Sequence, residues 1–113
     1  MVSKFEFKTN TVLNSMNIVV RGSYTQEDAR DFISEYQKQI KSINPPKFDL
    51  VVDCLELNVS KSDVVPMLQG CFEMYKKDGF KKIQCKITNN VTLKMQANRL
   101  ARTVGLENFE VLE

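Results

Sequence analysis

Five stretches of the chain have the apolar and polar patterns of β-strands. Residues 5–8 and 81–87 alternate between apolar and polar side chains, which is typical of a strand with one buried face. Residues 16–21 and 48–55 are more continuously apolar, and the latter run predicts a central parallel strand covered on its faces. Residues 109–112 predict a last short strand, and the first two strands are expected to pair as an N-terminal hairpin.

Three stretches between these strands have apolar residues every three or four positions, which predicts helices. The first helix is expected to begin at Thr25, whose side chain can cap free N–H groups, and to stop at Asn44 and the two prolines after it. The second is predicted to begin at a cap provided by Ser62 or Asp63. The third is predicted over residues 91–104.

The predicted order of elements is β-β-α-β-α-β-α-β. Strands that alternate with helices through short links indicate an α/β fold, with a mixed, mostly parallel five-stranded sheet packed by helices. The 113 residues fit one domain, 1–113, and the sequence contains no repeat, low-complexity tract or linker.

Composition limits the cellular location and the kinds of functional site that the sequence predicts. No run approaches the roughly 18 apolar residues of a membrane span, and residues 1–6 lack the apolar segment of a signal peptide. A cytoplasmic location is therefore expected. The three cysteines do not occur as closely spaced pairs, and the chain has no histidine. Neither a disulfide framework nor a metal site is therefore predicted. Buried thiols and no cofactor are expected.

Charge is unevenly distributed along the chain. Residues 76–102 contain eight basic residues and one acidic residue, although the net charge of the whole chain is only +2. This polarity fits either steering of an acidic partner or an ordinary solvated face. Aromatic side chains do not interleave with these basic residues, so no nucleic-acid partner is predicted.

Catalysis has little support in the sequence. The absence of histidine removes the usual general base at neutral pH, and the four glycines form no phosphate-binding loop. Asp49 and Asp53 are four residues apart on a predicted strand and so share a face, where they fit either a carboxylate pair or an acidic strand end that orders the next loop. No catalytic residue is predicted, and the protein is expected not to be an enzyme.

The most informative stretch is residues 58–63, which joins the central strand to the second helix. In open α/β sheets, ligands and partners tend to bind at the carboxyl ends of the strands. A phosphorylated serine at a helix N-terminus would be stabilised by free N–H groups and by the helix dipole. Helix capping alone also explains Ser60 and Ser62.

Five short segments spread over nearly the whole chain belong to one recognisable pattern: Gly22, Thr-Gln-Glu-Asp-Ala-Arg at 25–30, Leu-Val-Val-Asp at 50–53, Leu-Ala-Arg-Thr-Val-Gly-Leu at 100–106 and Phe-Glu-Val at 109–111. With these segments the sequence resembles the STAS family of anti-sigma factor antagonists, the SpoIIAA-like proteins. The resemblance implies the STAS-like fold, a role in bacterial signalling, and a switchable serine about eight residues after Asp53, where Ser62 lies. Lys61 stands where the family has an acidic residue, and Val64 follows Asp63 where a glycine is usual.

Two functions are compatible with these residues. The first is a regulatory domain that docks an anti-sigma factor or kinase-like protein through the 58–63 loop and the second helix, with Ser62 as a phosphorylation site. The residues expected to contact the partner are Asn58, Ser60, Lys61, Ser62, Asp63 and Met67. The alternative, implied by a diverged branch of the family, is a carrier or sensor of a small apolar ligand or lipid. Its candidate residues on the second helix are Met67, Phe72, Met74 and Tyr75, which a plain hydrophobic core also explains.

Overall fold

A computed structural model describes residues 4–113 and has the predicted class and order of elements. The strands are β1 (Phe5–Asn10), β2 (Ser15–Gly22), β3 (Asp49–Leu57), β4 (Lys82–Lys86) and β5 (Phe109–Leu112). The helices are α1 (Gln26–Ile40), α2 (Val65–Asp78) and α3 (Val91–Val104), with a short 3-10 helix at Pro45–Lys47.

The five strands form one mixed sheet in the order β1-β2-β3-β4-β5. β1 and β2 pair antiparallel, which confirms the N-terminal hairpin, and the other three pairings are parallel. Each parallel connection crosses over to the next strand in the same direction. Because such crossovers are right-handed, they place α1, α2 and α3 on the same face of the sheet.

The hydrophobic core lies between that face and the helices. Alternate strand residues such as Ile18, Leu50 and Ile83 are completely or almost completely buried there, together with Phe32 of α1 and Leu100 of α3. The expectation that β3 would be covered on its faces is therefore wrong for one of them. β3 is central and parallel, but only its Leu50–Val52–Cys54 side packs against helices.

The ends of α1 and α3 follow from local sequence. The Thr25 hydroxyl accepts a hydrogen bond from the N–H of Asp28, and the Asp28 carboxylate accepts one from the N–H of Thr25, so the predicted cap is confirmed as a reciprocal capping box. α1 ends at Ile40, earlier than the prolines predict. α3 has the predicted bounds, and Gly105 ends it with a φ of 77°.

Among residues 4–113, no helix is both long enough and apolar enough to cross a membrane.

Candidate binding site at the β3–α2 loop

The 58–63 loop leaves the carboxyl end of β3 and is held to three other parts of the protein. The Asn58 N–H donates to the carbonyl of Gly22, and the Asn58 side-chain amide donates to the Ser23 hydroxyl at 2.8 Å. At the other end of the loop, the Gln26 side-chain amide donates to the carbonyl of Asp63 at 3.1 Å. These bonds connect the loop to the end of β2 and to the first turn of α1.

The middle of the loop is held by Gln96 of α3. The N–H of Ser60 donates to Gln96 Oε1 at 3.2 Å, and Gln96 Nε2 donates back to the carbonyl of Ser60 at 3.2 Å. One carboxamide thus satisfies both backbone polar groups of Ser60. Such a pair is a strong local constraint, because unpaired backbone groups at a half-buried position cost free energy.

The first turn of α2 differs from the prediction. The N-cap is Val64, whose side chain cannot accept a hydrogen bond, so the assignment of a cap to Ser62 or Asp63 is wrong. Instead, the carbonyl of Lys61 accepts hydrogen bonds from the N–H groups of both Val64 and Val65. Residues 62–64 form a turn that precedes the helix.

The predicted partner-contact residues lie together but differ in accessibility. Asn58, Lys61, Ser62 and Asp63 are exposed. Ser60 and Met67 are half-buried. Val64 and Val65 already donate their N–H groups within the protein, and Pro66 has none. The exposed Ser62 hydroxyl therefore faces solvent beside a helix start that offers few free donors to a phosphate.

An apolar cavity of about 80 Å³ lies beneath this loop, between the sheet and all three helices. Leu57 and Ser60 contribute to its wall from the loop side, and Gln96 contributes from α3. The remaining lining residues are Val20, Tyr24, Ala29, Phe32, Val52, Cys54, Leu68, Cys71, Phe72, Tyr75, Cys85, Ile87, Leu93, Ala97 and Leu100. Of the four α2 residues suggested for an apolar ligand, Phe72 and Tyr75 line the cavity, whereas Met67 and Met74 do not.

All three cysteines are free, buried and part of the cavity wall, so the expectation of buried thiols is confirmed. Burial raises the pKa of the Cys71 thiol to about 12. The pKa of Cys85 is also raised, through a hydrogen bond with the Cys54 side chain and through burial. The Cys71 and Cys85 thiols are therefore protonated near neutral pH and add no charge to the wall.

Asp49 and Asp53 share one face of β3, as their spacing predicts, but it is the face turned away from the cavity. The structure thus separates the carboxylate pair from the loop and the thiols. Within residues 4–113, no group of three or more His, Cys, Asp or Glu side chains is arranged to hold a metal ion.

Comparison with known proteins identifies the fold. No protein-family model matches the chain, and no curated protein does. One similar solved structure is an uncharacterised protein of the DUF3478 family with a SpoIIAA-like fold, from Shewanella loihica PV-4. Its TM-score is 0.70, and the match covers 96% of this chain and 84% of that chain at 16% sequence identity. This chain has a SpoIIAA-like fold. The fold expected from the STAS resemblance is confirmed, and at this identity the comparison bears on the fold alone.

In this SpoIIAA-like fold, the sequence indicated the 58–63 loop as a candidate site but did not indicate Gln96, the residue that holds the loop in place. Gln96 is one polar position among several on α3, and nothing in its spacing singles it out. Leu68 was missed as a cavity residue because its helical spacing fits an ordinary core equally well.

Proposed function

We propose that this protein is a non-enzymatic binding domain, and that a small uncharged apolar molecule binds in the cavity beneath the 58–63 loop. The observation that carries the proposal is the cavity itself, a partly open space of about 80 Å³ lined largely by apolar side chains of the sheet and three helices. Apolar cavities are rare in close-packed interiors and accept apolar molecules that match their size. The free, buried cysteines are in keeping with a reducing compartment such as the cytoplasm.

The chemistry of the wall selects an uncharged ligand. Burial holds the Cys71 thiol protonated, and a hydrogen bond with the Cys54 side chain, together with burial, does the same for Cys85. The polar groups of Ser60 and Gln96 satisfy one another. A charged or strongly polar ligand would lose its hydration there without gaining partners. An engineered apolar cavity of about 150 Å³ binds benzene or xenon, so a cavity of about 80 Å³ accommodates a smaller apolar group or the end of a longer apolar chain.

Binding rather than catalysis is favoured by the distribution of chemical groups. The chain has no histidine, and its carboxylate pair, Asp49 and Asp53, lies on the opposite face of the sheet from the cavity. An apolar molecule in the cavity would contact hydrocarbon, aromatic rings and protonated thiols, none of which is a general base at neutral pH.

Native mass spectrometry of freshly purified protein, before and after incubation with lipid extract, tests whether the protein carries or takes up a natural ligand. Xenon NMR on the same protein tests whether the cavity admits an apolar atom. The Ala97→Leu variant should remove both signals because Ala97 is buried in the cavity wall. The control is Thr92→Leu, an exposed position on the same helix, which should bind like the wild type. A clean apo mass with no xenon shift would contradict the proposal.

A second candidate function is docking of a protein partner on the loop, and its support is the exposure of Asn58, Lys61, Ser62 and Asp63 beside the half-buried Met67. Val59 adds an apolar side chain that is 38% exposed in the same loop. Hydrogen bonds fix the loop backbone at Asn58, Ser60 and Asp63, so a partner would meet a preorganised surface and lose little ordering entropy. An anti-sigma factor or kinase-like regulator is the partner class that the STAS resemblance suggests.

Partner capture with Ser62→Ala, Ser62→Asp and Lys61→Glu tests the docking surface. A phosphate mimic at an interface adds charge and desolvation cost, so Ser62→Asp should reduce recovery of the partner while Ser62→Ala should not. Lys81→Glu is the control, because Lys81 is equally exposed but lies at the opposite end of the sheet, before β4. Equal recovery with all four variants would rule out docking through this loop.

A further inference from the structure

Within residues 4–113, all helices pack on one face of the sheet and none lies on the other. The side chains on this open face alternate with the buried core residues along each strand. The open face comprises Glu6, Lys8, Ser15, Asn17, Val19, Arg21, Asp49, Val51, Asp53, Lys82, Gln84, Lys86, Glu110 and Leu112. Val19, Val51 and Leu112 are half-buried, yet none of the three packs on the hydrophobic core.

Charge on the open face is arranged in stripes that follow the strands. β3 contributes Asp49 and Asp53, and the adjacent strand β4 contributes Lys82 and Lys86. The parallel register places Asp49 beside Lys82 and Asp53 beside Lys86. An acidic stripe and a basic stripe of the same length therefore lie side by side at the middle of the face.

The neighbouring strands extend this arrangement outward. In the row that contains Asp53 and Lys86, the register places Val19 of β2 on the acidic side and Leu112 of β5 on the basic side. The row reads apolar, acidic, basic, apolar across four strands. When the row is reversed and laid on itself, each acidic position meets a basic one and each apolar position meets an apolar one.

The charged groups of the two stripes form no short-range ion pair with each other among residues 4–113. Among the residues that the structure describes, the ion pairs within 4.0 Å involve other side chains, and neither Asp49–Lys82 nor Asp53–Lys86 is one of them. Asp49 Oδ1 is buried and has no hydrogen-bond partner in the described part of the chain.

We propose that the open face binds the same face of a second copy of this chain, about a two-fold axis that runs along the strands between β3 and β4. This operation places Asp53 opposite Lys86 of the second copy and Asp49 opposite its Lys82. Val19 then meets Leu112 of the second copy. Every contact occurs twice, as a two-fold interface requires, and the strands of the two sheets stay aligned, as in face-to-face sheet packing.

The size of the face predicts a weak dimer. Five strands about 4.8 Å apart and about five residues long give a flat footprint of roughly 300 Å², well below the surface that a stable interface uses on each partner, about 800 Å². Attraction between charge stripes mainly guides association and fixes register. The dimer should therefore form only at high protein concentration and should weaken with salt.

Sedimentation velocity over a protein concentration series tests the proposal with charge-reversal variants. In an Asp53→Lys homodimer, the new lysine faces Lys86 of the other copy at both symmetry-related contacts. In a Lys86→Asp homodimer, the new aspartate faces Asp53 of the other copy at both contacts. Each variant should raise the dimer dissociation constant about tenfold or more. An equimolar mixture of the two variants should dimerise like the wild type, because each reversed charge then meets its opposite on the other copy.

The mixture separates this proposal from a purely local effect. Asp53 and Lys86 are neighbours within one chain, so repulsion inside each single variant persists in the mixture and only contact between copies can restore association. Glu107→Lys and Lys47→Asp make the same charge changes at exposed positions off the sheet and should leave dimerisation unchanged. A wild type that stays monomeric up to about 1 mM at low salt, a mixture without recovery, or equal effects of the control variants would each overturn the proposal.

Discussion

At the scale of single residues, Gln96 shows how one side chain can determine the position of a loop. Its carboxamide accepts from the N–H of Ser60 and donates to the carbonyl of Ser60, both at 3.2 Å. Both residues line the cavity. The same pair of hydrogen bonds therefore fixes the loop backbone and closes one side of the proposed ligand site.

Replacing Gln96 with alanine should loosen the loop and destabilise the protein by about 1–2 kcal/mol, because two hydrogen bonds are lost and the backbone groups of Ser60 must find water. Hydrogen exchange at the Ser60 amide should become faster, and urea denaturation should give the change in free energy. Gln69→Ala is a matched control, since the Gln69 side-chain amide donates to Glu73 on its own helix and not to the loop. Unchanged exchange at Ser60 would show that Gln96 does not hold the loop.

Ser62 illustrates what local sequence leaves open at residue scale. A serine or an aspartate before an apolar helical run fits a helix cap, but the turn at residues 62–64 displaces the start of α2 to Val65. The carbonyl of Lys61 is the group that accepts the first N–H bonds. The exact residue at which a helix starts, to within two or three positions, depends on backbone geometry. Residue propensities do not encode that geometry.

At the scale of elements, prediction succeeded where short-range interactions decide the outcome. Thr25 and Asp28 are three residues apart, so their reciprocal bonds could be inferred from spacing alone, and the structure contains them. The prolines at 45 and 46 allowed a longer α1, yet the helix ends at Ile40. Ile43 lies beyond the end of the helix but still packs against the core. An apolar position can belong to the core without belonging to the helix that precedes it.

β3 shows the limit of pattern reading for a strand. Its apolar run correctly indicates a central parallel strand. Whether both faces are covered depends on where the helices cross over. Because the strands follow one another in sequence order, the right-handed crossovers all lie on one side. Val51 is therefore half-buried on the open face rather than packed beneath a helix.

At the scale of the whole molecule, the fold class could be predicted but the cavity and the charged stripes could not. The order of elements follows from hydrophobic periodicity, which each segment carries by itself. The cavity arises from how Leu68, Cys71 and Ala97 on two helices meet the strands, and the stripes arise from the register between β3 and β4. Both depend on distances between segments that are far apart in sequence.

The buried ionisable groups predict how the stability of the whole molecule depends on pH. Burial raises the pKa of the Cys71 thiol from 9.0 to about 12 and raises those of Tyr24, Tyr36 and Tyr75. A hydrogen bond with the Cys54 side chain, together with burial, raises the pKa of Cys85. Above pH 9 the unfolded chain releases thiol protons that the native protein retains. Unfolding is then favoured by rising pH, because the unfolded state binds fewer protons than the native state.

The free energy of unfolding should therefore fall as the pH rises above 9, with Cys71 contributing up to about 1.4 kcal/mol per pH unit until its folded pKa near 12. Urea denaturation under reducing conditions from about pH 7 to about pH 10 would measure the slope before tyrosine ionisation dominates. Cys71→Ala should give a shallower slope than the wild type, because it removes one thiol that must ionise on unfolding. Leu68→Ala also opens space in the cavity wall but removes no proton, so its curve should be lower and parallel to that of the wild type. A Cys71→Ala curve parallel to the wild type would show that this thiol is not held protonated by the fold.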